Sequence, residues 1–170
     1  MKVEKKGGFM KIEKLMHGDV GACHADDKGS LAAKIMWERD CGCVPVLDES
    51  SRVVGMVTDR DLCMASYTQG KSLRDIPVRT ARSKELWSCR PDDDLSDAEQ
   101  TMKERQVRRL PVVDAKGNLT GILSLADITR EAAREARERP KQMDVSYTDV
   151  AQTLGAINVP RSTHAQARAS

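Results

Sequence analysis

Residues 44–62 read VPVLDESSRVVGMVTDRDL, and residues 110–128 read LPVVDAKGNLTGILSLADI. Each stretch holds two short apolar runs, rich in branched side chains, that are separated by a polar turn and followed at once by a helical pattern. A run, a turn and a second run predict a β-hairpin. Because the order is the same in both stretches, the sequence predicts that this hairpin is made twice.

The two stretches belong to a longer internal repeat, because an offset of 66 residues carries Pro45 onto Pro111 and superimposes the flanking sequence without a gap. The same offset aligns further identical pairs, which are Cys23 with Cys89, Met36 with Met102, Val46 with Val112, Asp48 with Asp114, Gly55 with Gly121 and Asp61 with Asp127. Chance does not hold one register over such a length, so the chain carries two copies of one unit.

Each copy has the same predicted order of elements. The first helices are predicted over Ser30–Arg39 and Leu95–Arg105 from apolar side chains spaced three or four residues apart, with Ser30 as a helix cap. A short first strand precedes each of them. The second helices follow the hairpins directly, from Asp59 and Leu125. The predicted fold class is a mixed α/β (α+β) arrangement of two strand-helix-strand-strand-helix repeats.

The repeat also predicts the domain boundaries. The first repeat is expected over residues 10–70, a linker over 71–86, the second repeat over 87–138 and a C-terminal tail over 139–170. A short helix is predicted in the tail near Thr148 to Leu154. The final residues, STHAQARAS, have the composition of a disordered segment.

Composition narrows the function classes. The net charge is +2, from 28 basic and 26 acidic residues, and this balance argues against a nucleic-acid binder. No apolar run approaches the roughly 20 residues that cross a bilayer, and the N-terminus lacks the apolar core of a signal peptide. A cytoplasmic protein without a nucleic-acid or membrane partner is expected.

The cysteines form no disulfide framework, because their number is odd and their spacing irregular; they are Cys23, Cys41, Cys43, Cys63 and Cys89. Cys41-Gly-Cys43 comes nearest to a metal or redox motif. It is a CxC rather than a CxxC, and no second ligand pair has standard spacing, so no metal site is expected. No nucleophile triad or phosphate loop is present, so neither an enzyme nor a catalytic residue is expected.

Both copies place a hydroxyl residue at the end of a strand and an aspartate three residues later: Thr58 with Asp61, and Ser124 with Asp127. This spacing puts both side chains on one face at the start of a helix. Backbone N–H groups there suit a phosphate, and a carboxylate suits the O–H donors of a ribose. The same residues would also serve as helix caps, and both interpretations stay open.

With VPVLD…VVGMVTDRDL and LPVVD…LTGILSLADI, the chain resembles tandem CBS-domain proteins (Bateman modules), and within them the stand-alone bacterial two-CBS proteins of the hypoxic-response type. The resemblance covers about residues 10–138. It implies two repeats packed sheet to sheet with pseudo-twofold symmetry. It also implies two clefts that take adenosine-containing ligands such as AMP, ADP, ATP or S-adenosylmethionine, and a homodimer.

The resemblance implies which residues line the clefts. The predicted ligand-binding residues are Cys43, Val44, Pro45, Thr58, Arg60 and Asp61 in the first copy, and Arg109, Leu110, Pro111, Ser124 and Asp127 in the second. Arg60, and Arg108 or Arg109, would neutralise a phosphate. Leu125 and Ala126 replace the Asp59 and Arg60 of the first copy, so which cleft is occupied stays open.

The expected function is that of a regulatory module that senses an adenine nucleotide, with no cofactor, and acts on an unidentified regulated protein or on its own assembly. Two alternatives remain. One is a protein-interaction or dimerisation module whose clefts hold no ligand. The other is a thiol-based sensor that uses Cys41 and Cys43.

Overall fold

The structure, a computed structural model, describes residues 10–138 and 143–159. The first copy forms β1 (Cys23–His24), α1 (Gly29–Glu38), β2 (Cys43–Leu47), β3 (Val53–Thr58) and α2 (Asp59–Gln69). The second copy forms α3 (Leu95–Arg105), β4 (Arg109–Val113), β5 (Leu119–Ser124) and α4 (Leu125–Glu138), and α5 (Tyr147–Ile157) follows. The mixed α/β fold class is confirmed. The C-terminal stretch STHAQARAS lies outside the described residues.

Each hairpin is closed by an aspartate in its turn. The Oδ1 atom of Asp48 accepts the backbone N–H of Arg52 at 2.9 Å, between β2 and β3. The Oδ1 atom of Asp114 accepts the backbone N–H of Asn118 at 2.9 Å, between β4 and β5. An aspartate that bonds its own backbone in this way favours a turn over continued strand, so each hairpin folds at the position predicted.

The chain divides into two compact units, and each unit draws residues from both copies. The first unit contains His17–Pro91 and Pro111–Ile122. Among the described residues, the second unit contains 10–16, Asp92–Leu110 and the chain from Leu123 onwards.

In the first unit, β2 lies between β1 and β3, and α1 and α2 pack against this sheet. Its core is aliphatic, built from Cys23, Ala32, Met36, Val44, Val46, Val57, Leu62 and Val78. Val78 comes from the segment predicted as a linker. Its N–H donates to the carbonyl of Asp27 at 2.8 Å, so this segment contributes to the core of the unit.

The start of α1 differs from its prediction. The helix begins at Gly29, with Lys28 in the N-cap position, so the prediction that Ser30 caps it is wrong. The N–H of Gly29 donates to the carbonyl of Ile76 at 2.8 Å, and that of Ser30 donates to Leu73 at 3.0 Å. Backbone acceptors from a distant segment therefore satisfy the helix N-terminus in place of a side chain.

In the second unit, α5 packs against both α3 and α4. The residues before the first copy join this core. Ile12 is fully buried, its N–H donates to the carbonyl of Asp93 at 3.2 Å, and the N–H of Leu95 donates to Met10 at 2.8 Å. The remaining buried apolar residues are Leu95, Ala98, Met102, Leu110, Leu123, Leu125, Ile128, Ala132, Val145, Val150 and Ile157.

The duplication is visible in side-chain contacts as well as in sequence. The thiol of Cys23 lies 3.8 Å from the carbonyl oxygen of Pro45. The thiol of Cys89 lies 3.9 Å from the carbonyl oxygen of Pro111. Both pairs are related by the offset of 66 residues, and both thiols are buried, so these cysteines have the same structural place in the two copies.

Candidate functional site

Thr58 ends β3, and its side chain and that of Asp61 each bind the other's backbone at the start of α2. The Oγ1 atom of Thr58 accepts the N–H of Asp61 at 3.1 Å, and Oδ2 of Asp61 accepts the N–H of Thr58 at 3.0 Å. The Thr58 hydroxyl also donates to Oδ2 at 2.7 Å. This reciprocal arrangement is a capping box, so the helix-cap interpretation of the two residues holds.

The capping box uses only one carboxylate oxygen of Asp61. Within the described part of the chain, Oδ1 accepts no hydrogen bond, and the side chain is half-buried. A carboxylate oxygen accepts hydrogen bonds and donates none, so Oδ1 suits a ligand hydroxyl. The structural and the ligand-binding interpretations of Asp61 are therefore compatible, because each uses a different oxygen.

The predicted residues of β2 lie beside this helix start. Cys43 pairs with Thr58 across the antiparallel β2–β3 ladder, and Pro45 lies two positions further from the helix. Cys43 and Pro45 are buried, and the Val44 side chain belongs to the hydrophobic core. Any ligand contact of Val44 would therefore involve its backbone.

Arg60 lies in the first turn of α2 and is exposed. Its guanidinium forms no ion pair with any residue in 10–138 or 143–159. Its backbone N–H donates to Oδ1 of Asp59 at 2.7 Å, and the N–H of Asp59 donates to the carbonyl of Gly42 at 3.2 Å. The N-terminus of α2 thus presents one guanidinium and two carboxylates, those of Asp59 and Asp61.

The second copy repeats the hydroxyl–aspartate pair with a different outcome. Oδ2 of Asp127 accepts the N–H of Ser124 at 2.8 Å and its hydroxyl at 2.6 Å. Oδ1 of Asp127 forms an ion pair with Arg130, and the carboxylate is buried. Both oxygens of Asp127 are engaged, whereas no residue that the structure describes donates a hydrogen bond to Oδ1 of Asp61.

The two arginines at the start of β4 also differ, because one has a side-chain partner and the other is exposed. The guanidinium of Arg108 donates to Oδ1 of Asn158 at 2.6 Å, just beyond α5. Arg109 is exposed and forms no ion pair with the described residues, and Leu110 beside it is fully buried. Pro111 falls in the first unit, whereas Arg109 and Leu110 fall in the second.

Gly55 on β3 is a point of close approach within the chain itself. A Cβ atom at this position would lie 3.0 Å from the carbonyl oxygen of Ser83 and 3.1 Å from Cδ of Arg82. Real Cβ atoms rarely come so close to a backbone oxygen. The space above Gly55 is therefore filled by the segment that follows Val78, and this glycine serves packing.

The thiols are reduced and mostly buried. No disulfide joins the five cysteines, all of which lie in the described part of the chain; Cys63 is exposed and Cys41 half-buried, whereas Cys23, Cys43 and Cys89 are buried. Burial raises the pKa of the Cys23 thiol to about 12, with a smaller contribution from the charge of Asp27. The residues that the structure describes contain no group of three or more His, Cys, Asp or Glu side chains placed to hold a metal ion.

One feature that the sequence did not reveal is a groove between α1 and α2, which we call the repeat-1 groove. Its volume is about 510 Å³, and its lining includes Met36, Trp37, Asp40, Asp59, Leu62 and Cys63. The signal for this groove in the sequence was Trp37. It was not distinctive, because Trp37 follows the core residue Met36 on α1.

In the part of the chain that is described, no helix is both long and apolar enough to span a membrane.

Comparison with known sequences identifies the family. The CBS domain family model matches residues 12–67 and 73–134, which is most of the chain. The CBS domain-containing protein YhcV of Bacillus subtilis is 40% identical over 97 residues, a stretch that covers 57% of this chain and 67% of YhcV. The chain spans a smaller share of other curated relatives, 47% and 23% of two of them.

Solved structures give the same fold. Hypoxic response protein I, determined with two coordinated zinc ions, is 26% identical and superimposes with a TM-score of 0.65 over 71% of this chain and 98% of that protein. CBSX2, determined in complex with AMP, is 26% identical with a TM-score of 0.64 over 75% of this chain and 98% of that chain.

Proposed function

The chain belongs to the CBS domain family, and we propose that it is a regulatory module that binds an adenine nucleotide and catalyses no reaction. The proposal centres on the end of β3 in the first copy. A helix N-terminus, an open carboxylate oxygen and an exposed guanidinium lie there between Thr58 and Asp61. AMP, ADP, ATP or a related adenosyl compound carries groups that match them.

The observation that carries this proposal is the open Oδ1 atom of Asp61. A ribose diol offers two O–H donors, and a carboxylate is a pure acceptor. A hydrogen bond to a charged group contributes about 1.5–3 kcal/mol. Because Thr58 already holds the carboxylate in place, the ligand meets a preorganised acceptor and little further ordering is needed.

The rest of the nucleotide has neighbours of suitable chemistry. The backbone of Cys43, Val44 and Pro45 would bind the adenine, and Arg60 with the N–H groups at the start of α2 would bind the phosphate. Asp59 adds a like charge beside that phosphate. A monophosphate suffers less repulsion than a triphosphate from Asp59, so we favour AMP over ATP.

The second copy offers a weaker version of the same site. Its proposed residues within the second unit are Ser124, Asp127, Arg109 and Leu110. The ion pair between Asp127 and Arg130 must open, or be shared, before Asp127 can accept a ribose hydroxyl. The AMP complex of CBSX2, a protein with 26% identity, supports the nucleotide class for a CBS pair but does not distinguish the two positions.

Regulation requires that the ligand bind one state of the protein better than another. We propose that ligand binding acts either on an unidentified regulated protein or on the assembly of this chain. This chain matches only 23% of a longer relative, a homoserine O-acetyltransferase of Methanohalophilus mahii, which agrees with a non-catalytic role for this module.

Calorimetric titration of the reduced protein with AMP, ADP, ATP, NAD and S-adenosylmethionine tests the proposal. Asp61→Asn should weaken the binding of the preferred ligand about 10- to 100-fold, because it replaces an acceptor with a donor at the ribose. Asp127→Asn is the matched control in the other copy and should have a smaller effect. Thermal melting of each variant separates lost binding from lost folding.

If none of the five ligands binds at millimolar concentration, the nucleotide proposal is overturned and the interaction module without ligand is favoured. Equal losses in Asp61→Asn and Asp127→Asn would overturn the assignment to the first copy. The thiol-sensor alternative predicts instead a mass change on oxidation that Cys43→Ser abolishes; the burial of Cys43 argues against it.

A further inference from the structure

The C-terminal end of α5 is held by the turn that connects α3 to β4. Nη2 of Arg108 donates to Oδ1 of Asn158 at 2.6 Å. The Gln106 side chain donates to the carbonyl oxygen of Val159 at 2.9 Å, and it lies 3.4 Å from the carbonyl oxygen of Ala156. Two long polar side chains of this turn therefore bind the end of α5 and the residues just beyond it.

The same turn also contacts the start of α4. The N–H of Leu125, the first residue of α4, donates to the carbonyl oxygen of Arg108 at 2.9 Å. The first copy forms the corresponding bond, from the N–H of Asp59 to the carbonyl oxygen of Gly42 at 3.2 Å. The offset of 66 residues relates the two bonds. The backbone of Arg108 is thus fixed at the helix N-terminus that corresponds to the proposed phosphate site of the first copy.

The side chain at this position distinguishes the two copies. The first copy has Gly42 there, whereas the second has Arg108, whose guanidinium could neutralise a phosphate. In the structure, Arg108 binds Asn158 instead, and Asp127 is paired with Arg130. Arg108 is also exposed, so packing does not prevent its guanidinium from changing partner. Two groups that a nucleotide would use in the second copy are therefore engaged within the protein.

We propose that α5 regulates the second-copy site, the nucleotide site at Ser124 and Asp127, by competing with the nucleotide for the guanidinium of Arg108. This regulation rests on the proposed nucleotide binding. A side-chain amide is a neutral acceptor, whereas a hydrogen bond from arginine to a charged phosphate is roughly twice as strong and often bidentate. A bound phosphate therefore draws Arg108 away from Asn158, and the docked end of α5 lowers the affinity for nucleotide.

The position of this contact determines which part of α5 responds. The segment before α5 is fixed by Glu135, which accepts the N–H groups of Asp144 and Val145 at 2.8 and 2.9 Å. Release of Arg108 therefore leaves the beginning of α5 attached and loosens its end, where Ile157 is buried. The coupling is reciprocal, because two binding events that share one group affect each other's free energy equally.

Calorimetric titration with AMP tests the competition in Asp61→Asn, a protein whose first-copy site is weakened. Adding Asn158→Ala should strengthen AMP binding about three- to tenfold, because Arg108 then leaves no partner when it binds the phosphate. Adding Asp127→Asn as well should abolish this gain, since Asp127 belongs to the second-copy site. Gln152→Ala is the matched control. Gln152 is an exposed side-chain amide on α5, and its loss should leave the affinity unchanged.

Amide hydrogen exchange, followed by mass spectrometry on the full chain, measures the reciprocal effect. Saturating AMP should accelerate exchange at the end of α5, over residues 153–159, and should leave its first turn, residues 147–150, unchanged. Arg108→Ala should remove this response, so that the end of α5 exchanges equally fast with and without AMP. A role of Arg108 in structure alone would change the basal exchange rate but not its dependence on AMP.

The outcomes separate this regulation from the nucleotide proposal. If AMP binds none of these proteins, the nucleotide proposal fails and the regulation fails with it. If AMP binds, the regulation alone is overturned by any of three results: no gain from Asn158→Ala, a gain that survives Asp127→Asn, or α5 exchange that AMP leaves unchanged or slows. Circular dichroism checks that each variant is folded, and exchange in the wild type decides the question even if Asp127→Asn does not fold.

Discussion

The Oδ2 atom of Asp61 takes two hydrogen bonds from Thr58, one from its amide and one from its hydroxyl, and Oδ1 of the same carboxylate stays open. The two bonds to Oδ2 fix the start of α2, whereas no group in the described part of the chain donates a hydrogen bond to Oδ1. One residue therefore combines a folding role with a proposed binding role. The helix start is built before any ligand arrives.

The capping role can be measured on its own. Thr58→Ala removes the hydroxyl that accepts the N–H of Asp61 and should lower the free energy of unfolding by about 1 kcal/mol in urea titrations. Thr68→Ala, in the same helix, is the control. Thr68 is exposed and bonds only carbonyls of its own helix, so its loss should be close to neutral. Equal effects of the two substitutions would contradict the capping account.

Glu135 should hold the segment before α5 in place. Glu135→Ala leaves the N–H groups of Asp144 and Val145 without this acceptor and should destabilise the protein by about 1–3 kcal/mol. Amide hydrogen exchange in α5 should accelerate. Glu135→Gln keeps a carbonyl acceptor and should recover part of the loss. Glu138→Ala is the control, because Glu138 is exposed. If amide exchange in α5 is as slow in Glu135→Ala as in the wild type, Glu135 does not hold this segment in place.

The two hairpin aspartates predict an acid dependence of stability. The backbone N–H of Arg52 lowers the pKa of Asp48, and the side chain of Asn118 lowers the pKa of Asp114. A lowered folded-state pKa means that the unfolded chain binds more protons near pH 4. The stabilisation is complete above the unfolded pKa of about 3.9 and disappears as the pH falls through the folded values.

The free energy of unfolding should therefore fall as the pH decreases from about 5 to 2, and the fall should be shallower in the Asp48→Asn, Asp114→Asn double variant. Urea titrations over this range provide the comparison. An identical pH profile for the double variant and the wild type would refute the contribution of these turns.

Thiol reactivity should follow burial. At pH 8, a thiol reagent should label Cys63 first and Cys41 more slowly, because the former is exposed and the latter half-buried. Cys23 should react only after unfolding, since its pKa of about 12 leaves almost no thiolate at that pH. Labelling in denaturant should reach all five cysteines. Fast labelling of native Cys23 would contradict the structure.

The features that could be predicted from the sequence depend on contacts between residues that lie close together in the chain. The hairpins were predictable because Asp48 and Asp114 bond their own turns, and the two copies repeat the pattern. The pairing of Thr58 with Asp61 was predictable because three residues is close to one helical turn.

What the sequence could not predict depends on distant partners. Ser30 does not cap α1, because the helix begins one residue earlier. The carbonyls of Leu73 and Ile76 accept the N–H groups of its first two residues. Asp127 differs from Asp61 because Arg130 binds it, and no spacing rule shows which of two equivalent carboxylates keeps an open oxygen. The exposure of Trp37 could not be read from its helix, since neighbouring positions of α1 are core.

The most direct test of the central claim joins a change in the ligand to a change in the protein. Calorimetry should compare AMP with 2′,3′-dideoxy-AMP on the wild type and on Asp61→Asn. The account predicts that the wild type prefers AMP by about tenfold or more, and that Asp61→Asn loses this preference, because the diol and the carboxylate are partners. If Asp61→Asn still discriminates the two ligands as the wild type does, the ribose is not bound by Asp61.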